Sequence, residues 1–165
     1  MLPHELVTVE IMLLGMGATL LSDLWALFLK SAFNFAPSNM GLLGRWLLHM
    51  PQGTFVHRSI AAASPRRGEV AVGWLAHYAV GVLYAFLFTV VVGTGWLQHP
   101  SILPAVGFGV VTIAAPFFIM QPAFGIGVAS SRATNPWHAR LRTLVIHVLF
   151  GLGLFVSALL VRWLT

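Results

Sequence analysis

Asp23, His77 and His147 each stand inside a long apolar run of the chain. An ionisable side chain in such a setting is costly and is a candidate for chemistry before any other residue. Three chemistries use this set. Histidine titrates near neutral pH, so an acid beside two imidazoles can pass protons or handle small ions. Two histidines and one carboxylate can also bind a divalent metal and leave positions open on it. Two histidines at matched depth on separate helices can ligate a haem iron from both faces. Gly81 and Gly151, one turn away, would then make room for the ring. A fourth reading needs no chemistry: the side chains pair with one another or with nearby hydroxyls and carbonyls and set helix register. Gln121 joins the group if its helix continues through Pro122.

Spacing supports a shared, inward-facing site. Gly73, His77, Gly81 and Ala85 fall at four-residue intervals, as do Thr143, His147 and Gly151; Met16 and Thr19 share the face of Asp23. Small residues at that interval let helices approach closely, so these faces are expected inside a bundle. Asp23 lies seven residues before Lys30, His77 seven past Val70 and His147 five past Arg142. At 1.5 Å per residue each should sit about 8–10 Å inside the same membrane boundary. The three are therefore expected to converge.

The elements that must position them are membrane helices. In 165 residues the hydrophobic fraction is 58% and the charged fraction 8%, against about 25% charged in a soluble domain. With a mean hydropathy of +0.88, the solvent for most of the surface must be lipid. A spanning helix needs about 20 apolar residues, and four segments qualify, at about 6–29, 70–92, 102–122 and 141–164. The expected fold is all-α: a single polytopic membrane domain over 1–165 with four transmembrane helices. Ser64-Pro65 and Asn135-Pro136 each set a capping side chain before a proline, which marks the starts of the second and fourth helices. Pro104, Pro116 and Pro122 predict kinks in the third. The first loop carries a short amphipathic helix at about 40–50, capped by Ser38 or Asn39. Leu42, Leu43, Trp46, Leu47 and Met50 form its apolar face, with Gly41, Arg45 and His49 opposite. It reads either as an interfacial helix on the membrane or as a helix folded over the bundle end.

Eight of the nine lysines and arginines fall on one side: Lys30, Arg45, Arg58, Arg66, Arg67, Arg132, Arg140 and Arg142, with only Arg162 opposite. That side should be cytoplasmic, which predicts a bacterial inner-membrane protein with both termini periplasmic. Arg45, Arg66, Arg67, Arg140 and Arg142 are expected at lipid headgroups. Glu10 is expected to snorkel to the opposite headgroups. No cleavable signal peptide is expected, because no basic segment precedes the first apolar run.

The second and fourth helices share a pattern of proline, histidine and glycine, Pro65, His77 and Gly81 against Pro136, His147 and Gly151. The first and third share paired glycines, Gly15 and Gly17 against Gly107 and Gly109. Two tandem hairpins would account for both matches.

Absence of cysteine excludes disulfides, thiolate metal sites and a cysteine nucleophile. The chain shows no helical zinc-protease pattern, nucleophile elbow or phosphate-binding glycine loop, hence no enzyme signature. No nucleic-acid motif is present, and the sequence names no cofactor. The expected partners are the lipid bilayer and, because so small a bundle needs help to form a pathway, further copies of itself or a larger membrane complex.

From Gly15 nearly to the end, the chain resembles an uncharacterised family of bacterial integral membrane proteins known as a domain of unknown function. The resembling stretches are ATLLSDLW from Ala18 to Trp25, Gly44-Arg45-Trp46, GWLAH from Gly73 to His77, PFFIMQPAFGIG from Pro116 to Gly127, and Arg142 with His147 and Gly151. The resemblance implies a bacterial multi-pass membrane protein and carries over no catalytic residue.

Overall fold

The computed structural model describes residues 4–35 and 37–164, with side chains from Val7 onward. Among these residues every regular element is helical. Four helices are long and apolar enough to cross a membrane: Val7–Phe33, Glu69–Val92, Ile102–Ala123 and Pro136–Leu164. Leu75, Val91 and Leu103 leave 74–81% of their surfaces uncovered. On helices this long and apolar, aliphatic side chains that bare suit a surface facing lipid.

The elements in chain order are α1 (His4–Phe33), α2 (Met40–His49), α3 (Glu69–Val92), α4 (Gly95–Gln98) and α5 (Ile102–Val111). After a π-helical turn at Pro116–Met120 come α6 (Gln121–Ala123) and α7 (Pro136–Leu164). Two expected caps are present. Asn39 Oδ1 accepts the Gly41 N–H at 2.9 Å and starts α2. Asn135 Oδ1 accepts the His138 N–H at 3.1 Å, with Pro136 at the first position of α7.

The cap expected at Ser64-Pro65 is not used. α3 starts four residues later, and the Glu69 carboxylate reaches back to the Arg66 N–H at 2.8 Å. A first-turn carboxylate satisfies an orphan donor there as a capping box does. In the third span Pro116 has no N–H for the Thr112 carbonyl. Ala115 takes that carbonyl instead at 3.2 Å, and the π-helical turn follows.

Two compact units divide the chain. The first comprises the described residues up to 37, with 78–111 and from 146 onward; the second comprises 38–77 and 112–145. The first unit packs backbone to backbone. A Cβ at Gly15 would stand 2.5 Å from the Val82 Cα, one at Gly151 would stand 2.7 Å from the Val106 Cα, and one at Gly153 would stand 2.6 Å from the Ala18 Cα. α1 against α3 and α5 against α7 thus both close on glycine. Leu14, Ala85, Phe88 and Leu154 are fully enclosed there.

In the second unit α2 lies against the start of α3. A Cβ at Gly44 would overlap the Glu69 carbonyl, and one at Gly73 would overlap the Met40 carbonyl. Leu42, Leu43 and Trp46 cover Ile60, Ala123 and Phe124. His57 and Ile60 donate backbone N–H groups to the Ala123 and Phe124 carbonyls at 2.8 and 3.1 Å.

Candidate functional site

Asp23 on α1 faces α3 within the first unit. Its carboxylate shares a hydrogen bond with the Tyr78 hydroxyl. Antiparallel packing brings them together, because Gly15 and Thr19 already lie on Val82 and Gly81 and the next turn of α1 reaches Tyr78. The spacing of Asp23 with Thr19 pointed to an inward face, and Thr19 is 2% exposed. Tyr78 was not singled out in the sequence. The signal was present as a phenol, one residue past His77, in an otherwise apolar span.

His147 on α7 belongs to the same unit. It is hydrogen-bonded to the backbone of Gly109 on α5, whose missing side chain lets α7 approach to contact. Ala18 on α1 meets Gly153 on α7. From that crossing Asp23 lies five residues on and His147 six residues back, so both sit about 7.5–9 Å toward the same end. His77 belongs to the second unit, where its ring packs edge-on to Trp74 with centroids 5.8 Å apart.

The space assumed for a haem is filled. Gly81 is covered by the Thr19 hydroxyl and Gly151 by the Ala105 and Val106 backbone. Among the described residues no three histidines or acids stand together as a metal site.

Gln121 ends the third span in a buried polar node of the second unit. Its Oε1 accepts the Ser130 hydroxyl at 3.0 Å, and its Nε2 points to the Thr143 hydroxyl at 3.5 Å. Gln121 is 6% and Ser130 2% exposed. Ala129 and Ser130 hold left-handed backbone, with φ of 46° and 58°. Each such non-glycine residue costs about 1–2 kcal/mol. The conformation persists because its surroundings hold it: Arg140 Nε donates to the Ala129 carbonyl at 2.8 Å. Nothing in the local sequence around Ser130 announced this pairing, since Gln121 and Ser130 meet only through the loop that joins them.

Arg45, expected among lipid phosphates, turns inward. Its Nε and Nη2 hold the two oxygens of Glu69 at 2.8 and 2.7 Å, while Nη1 donates to the Ala61 and Ala63 carbonyls at 3.2 and 3.0 Å. The pair is favoured because the fork of a guanidinium matches a carboxylate in both spacing and plane. Arg66 lies over His49 and reaches Gln52 Oε1 at 3.3 Å. The His49 and His57 rings are in edge contact at 5.1 Å. Burial, reinforced by the neighbouring His49, pushes the His57 imidazole below its ordinary range.

Glu10, expected to snorkel, lines a cavity of about 30 Å³ with Gln98 and Arg162. Its Oε2 is covered and has no hydrogen-bond partner among the described residues.

No curated protein and no solved structure matches the chain. The family model described as a protein of unknown function, DUF2938, matches residues 12–161. With all four apolar spans inside or overlapping that match, the chain is a membrane protein and belongs to the DUF2938 family.

Proposed function

We propose that this protein is a multi-pass bacterial inner-membrane protein that handles protons or small ions through Asp23, with both termini periplasmic. The observation that carries the reading is the Asp23–Tyr78 hydrogen bond between two apolar helices. A carboxyl group that bonds a phenol can exchange a proton with it. His147, in the same unit, adds an imidazole that bonds the Gly109 backbone. His77, next to Tyr78 in the chain, is the other ionisable group of the spans that the flux experiment includes. Topology rests on the eight-to-one placement of basic residues.

An architectural role is the competing reading. It is favoured by the backbone contacts at Gly15, Gly109 and Gly151, which make the first unit closely packed. In that reading Asp23 and Tyr78 only hold α1 in register with α3.

Asp23→Asn separates the two. The amide keeps the shape and can still bond the phenol, but it cannot carry the proton. Proton and cation flux in proteoliposomes should be measured from about pH 5.5 to 8, where histidine titrates, alongside thermal stability in detergent. Retained stability with lost pH-dependent flux supports the relay. Unchanged flux in both Asp23→Asn and His77→Gln, or no flux in the wild type, supports the architectural role.

A further inference from the structure

The break at Pro116 leaves an apolar groove in the second unit. Ile113 and Phe117 of the third span form one wall, and Trp137, Arg140, Leu141 and Leu144 at the start of α7 form the other. Its volume is about 170 Å³. The lining is hydrocarbon except for Arg140. A straight helix would continue the α5 ladder past Thr112. Instead Thr112 and Ile113 form a turn, Pro116 supplies no donor, and the π-helical turn follows at Pro116–Met120.

The mouth carries a different chemistry. Trp137 is 71% exposed in the first turn of α7, where an amphipathic ring suits the headgroup level of a bilayer. Arg140, one turn further on, is also exposed. Its Nε is fixed by the Ala129 carbonyl at 2.8 Å, and no described residue takes its other donors. A guanidinium with one donor anchored presents the rest in a set direction. A fork of two such donors matches phosphate geometry.

The geometry points to a phospholipid site: one acyl chain lies in the groove between Ile113, Phe117, Leu141 and Leu144, and an anionic headgroup sits on Arg140. An acyl chain is the apolar occupant that a lipid-facing groove meets, and only a lipid carries a phosphate one helical turn above it. Charge complementarity selects an anionic headgroup over a zwitterionic one. The site lies within the second unit and its argument uses no proton chemistry at Asp23.

The test uses the full-length chain in detergent and reads retained lipid by native mass spectrometry, with phosphatidylglycerol and phosphatidylcholine supplied in equal amounts. Wild type should keep one phosphatidylglycerol in preference to phosphatidylcholine. Arg140→Gln should lower that retention about tenfold, the loss of one charge-assisted contact of about 1.4 kcal/mol. Leu144→Trp, which fills the groove, should abolish it, while Arg58→Gln, an exposed arginine outside the groove, should leave it unchanged. Should a variant fail to fold, the wild type still gives a readout. Phosphatidylglycerol with a photoreactive acyl chain should attach to peptides containing Phe117 and Leu141–Leu144. Equal retention of both lipids, retention untouched by Arg140→Gln and Leu144→Trp, or cross-links spread evenly over the four spans would each overturn the proposal. So would a change of oligomeric state in Leu144→Trp with lipid retention intact, which would make the groove a protein contact.

Discussion

Arg45 holds Glu69 by two parallel hydrogen bonds, Nε to Oε2 at 2.8 Å and Nη2 to Oε1 at 2.7 Å, across 24 residues of sequence. The contact fastens α2 to the first turn of α3. It also ties the loop between them through the Ala61 and Ala63 carbonyls. Arg45→Lys keeps the charge but replaces the planar fork with a single ammonium group. It should lower the detergent melting temperature by several degrees, and Arg45→Gln by more. Arg67→Gln, on an exposed side chain of the same loop, should change it little. Equal melting temperatures for Arg45→Lys and wild type would show that the fork geometry adds nothing beyond charge.

Glycine substitutions should divide by contact. A Cβ at Gly15 would stand 2.5 Å from the Val82 Cα, and one at Gly151 2.6 Å from the Ala105 carbonyl oxygen. Gly15→Ala and Gly151→Ala force helix backbones apart and should each destabilise by about 1–3 kcal/mol. Gly107 has no neighbour within 4 Å. Gly107→Ala should be neutral or stabilise by about 0.5–1 kcal/mol, since alanine has the better helix propensity. Thermal shift of the purified variants reads all three.

The buried node at Gln121 makes a prediction about strain. Ser130→Ala removes the hydroxyl that Gln121 Oε1 accepts at 3.0 Å, leaving a buried acceptor unsatisfied at about 1–3 kcal/mol. Ala129→Gly should be tolerated, because glycine adopts a positive φ without steric cost. Ala129→Val should destabilise, because a branched side chain at φ 46° is strained. A valine variant as stable as wild type would show that the left-handed turn relaxes elsewhere.

Acid should weaken the loop around His57. The native imidazole is held below its ordinary range by burial and by His49. The unfolded chain therefore binds the proton more readily, and stability rises with pH through this region. Stability is full above the unfolded value of about 6.5 and falls as pH drops below it, until the native pKa is passed. His57→Gln should flatten that part of the curve of melting temperature against pH. A wild-type curve already flat from about pH 7 to 5 would remove His57 from the account.

Topology is open to direct labelling, because the chain contains no cysteine. With single cysteines at Ser59, Gln98 and Thr134, an impermeant thiol reagent on spheroplasts should reach only position 98. Labelling at 59 and 134 instead would invert the proposed orientation.

Hydropathy and period alone determined that the fold is all-helical, where the four spans run, and that Gly73, Gly81, Ala85 and Gly151 face inward. These properties repeat along one helix and are written in local order. Asn39 and Asn135 were legible as caps for the same reason, since a cap and its partner lie within three residues. Tertiary structure decided which polar groups meet. Asp23 and Tyr78 are 55 residues apart and Arg45 and Glu69 are 24 apart. Their pairing depends on the register at which α1 crosses α3 and on the way α2 folds back, and neither is encoded at either residue. Ser64 shows the opposite failure. Its sequence reads as a helix cap, but Glu69 takes the Arg66 N–H and the Ser64 carbonyl meets His49 Nε2 at 3.0 Å instead. A local signal yielded there to a first-turn carboxylate that Arg45 holds in place. The groove at Pro116 lies between these extremes: the proline announced a break, but only the side chains of Ile113, Phe117, Trp137 and Leu144 around it decided that an apolar groove opens there.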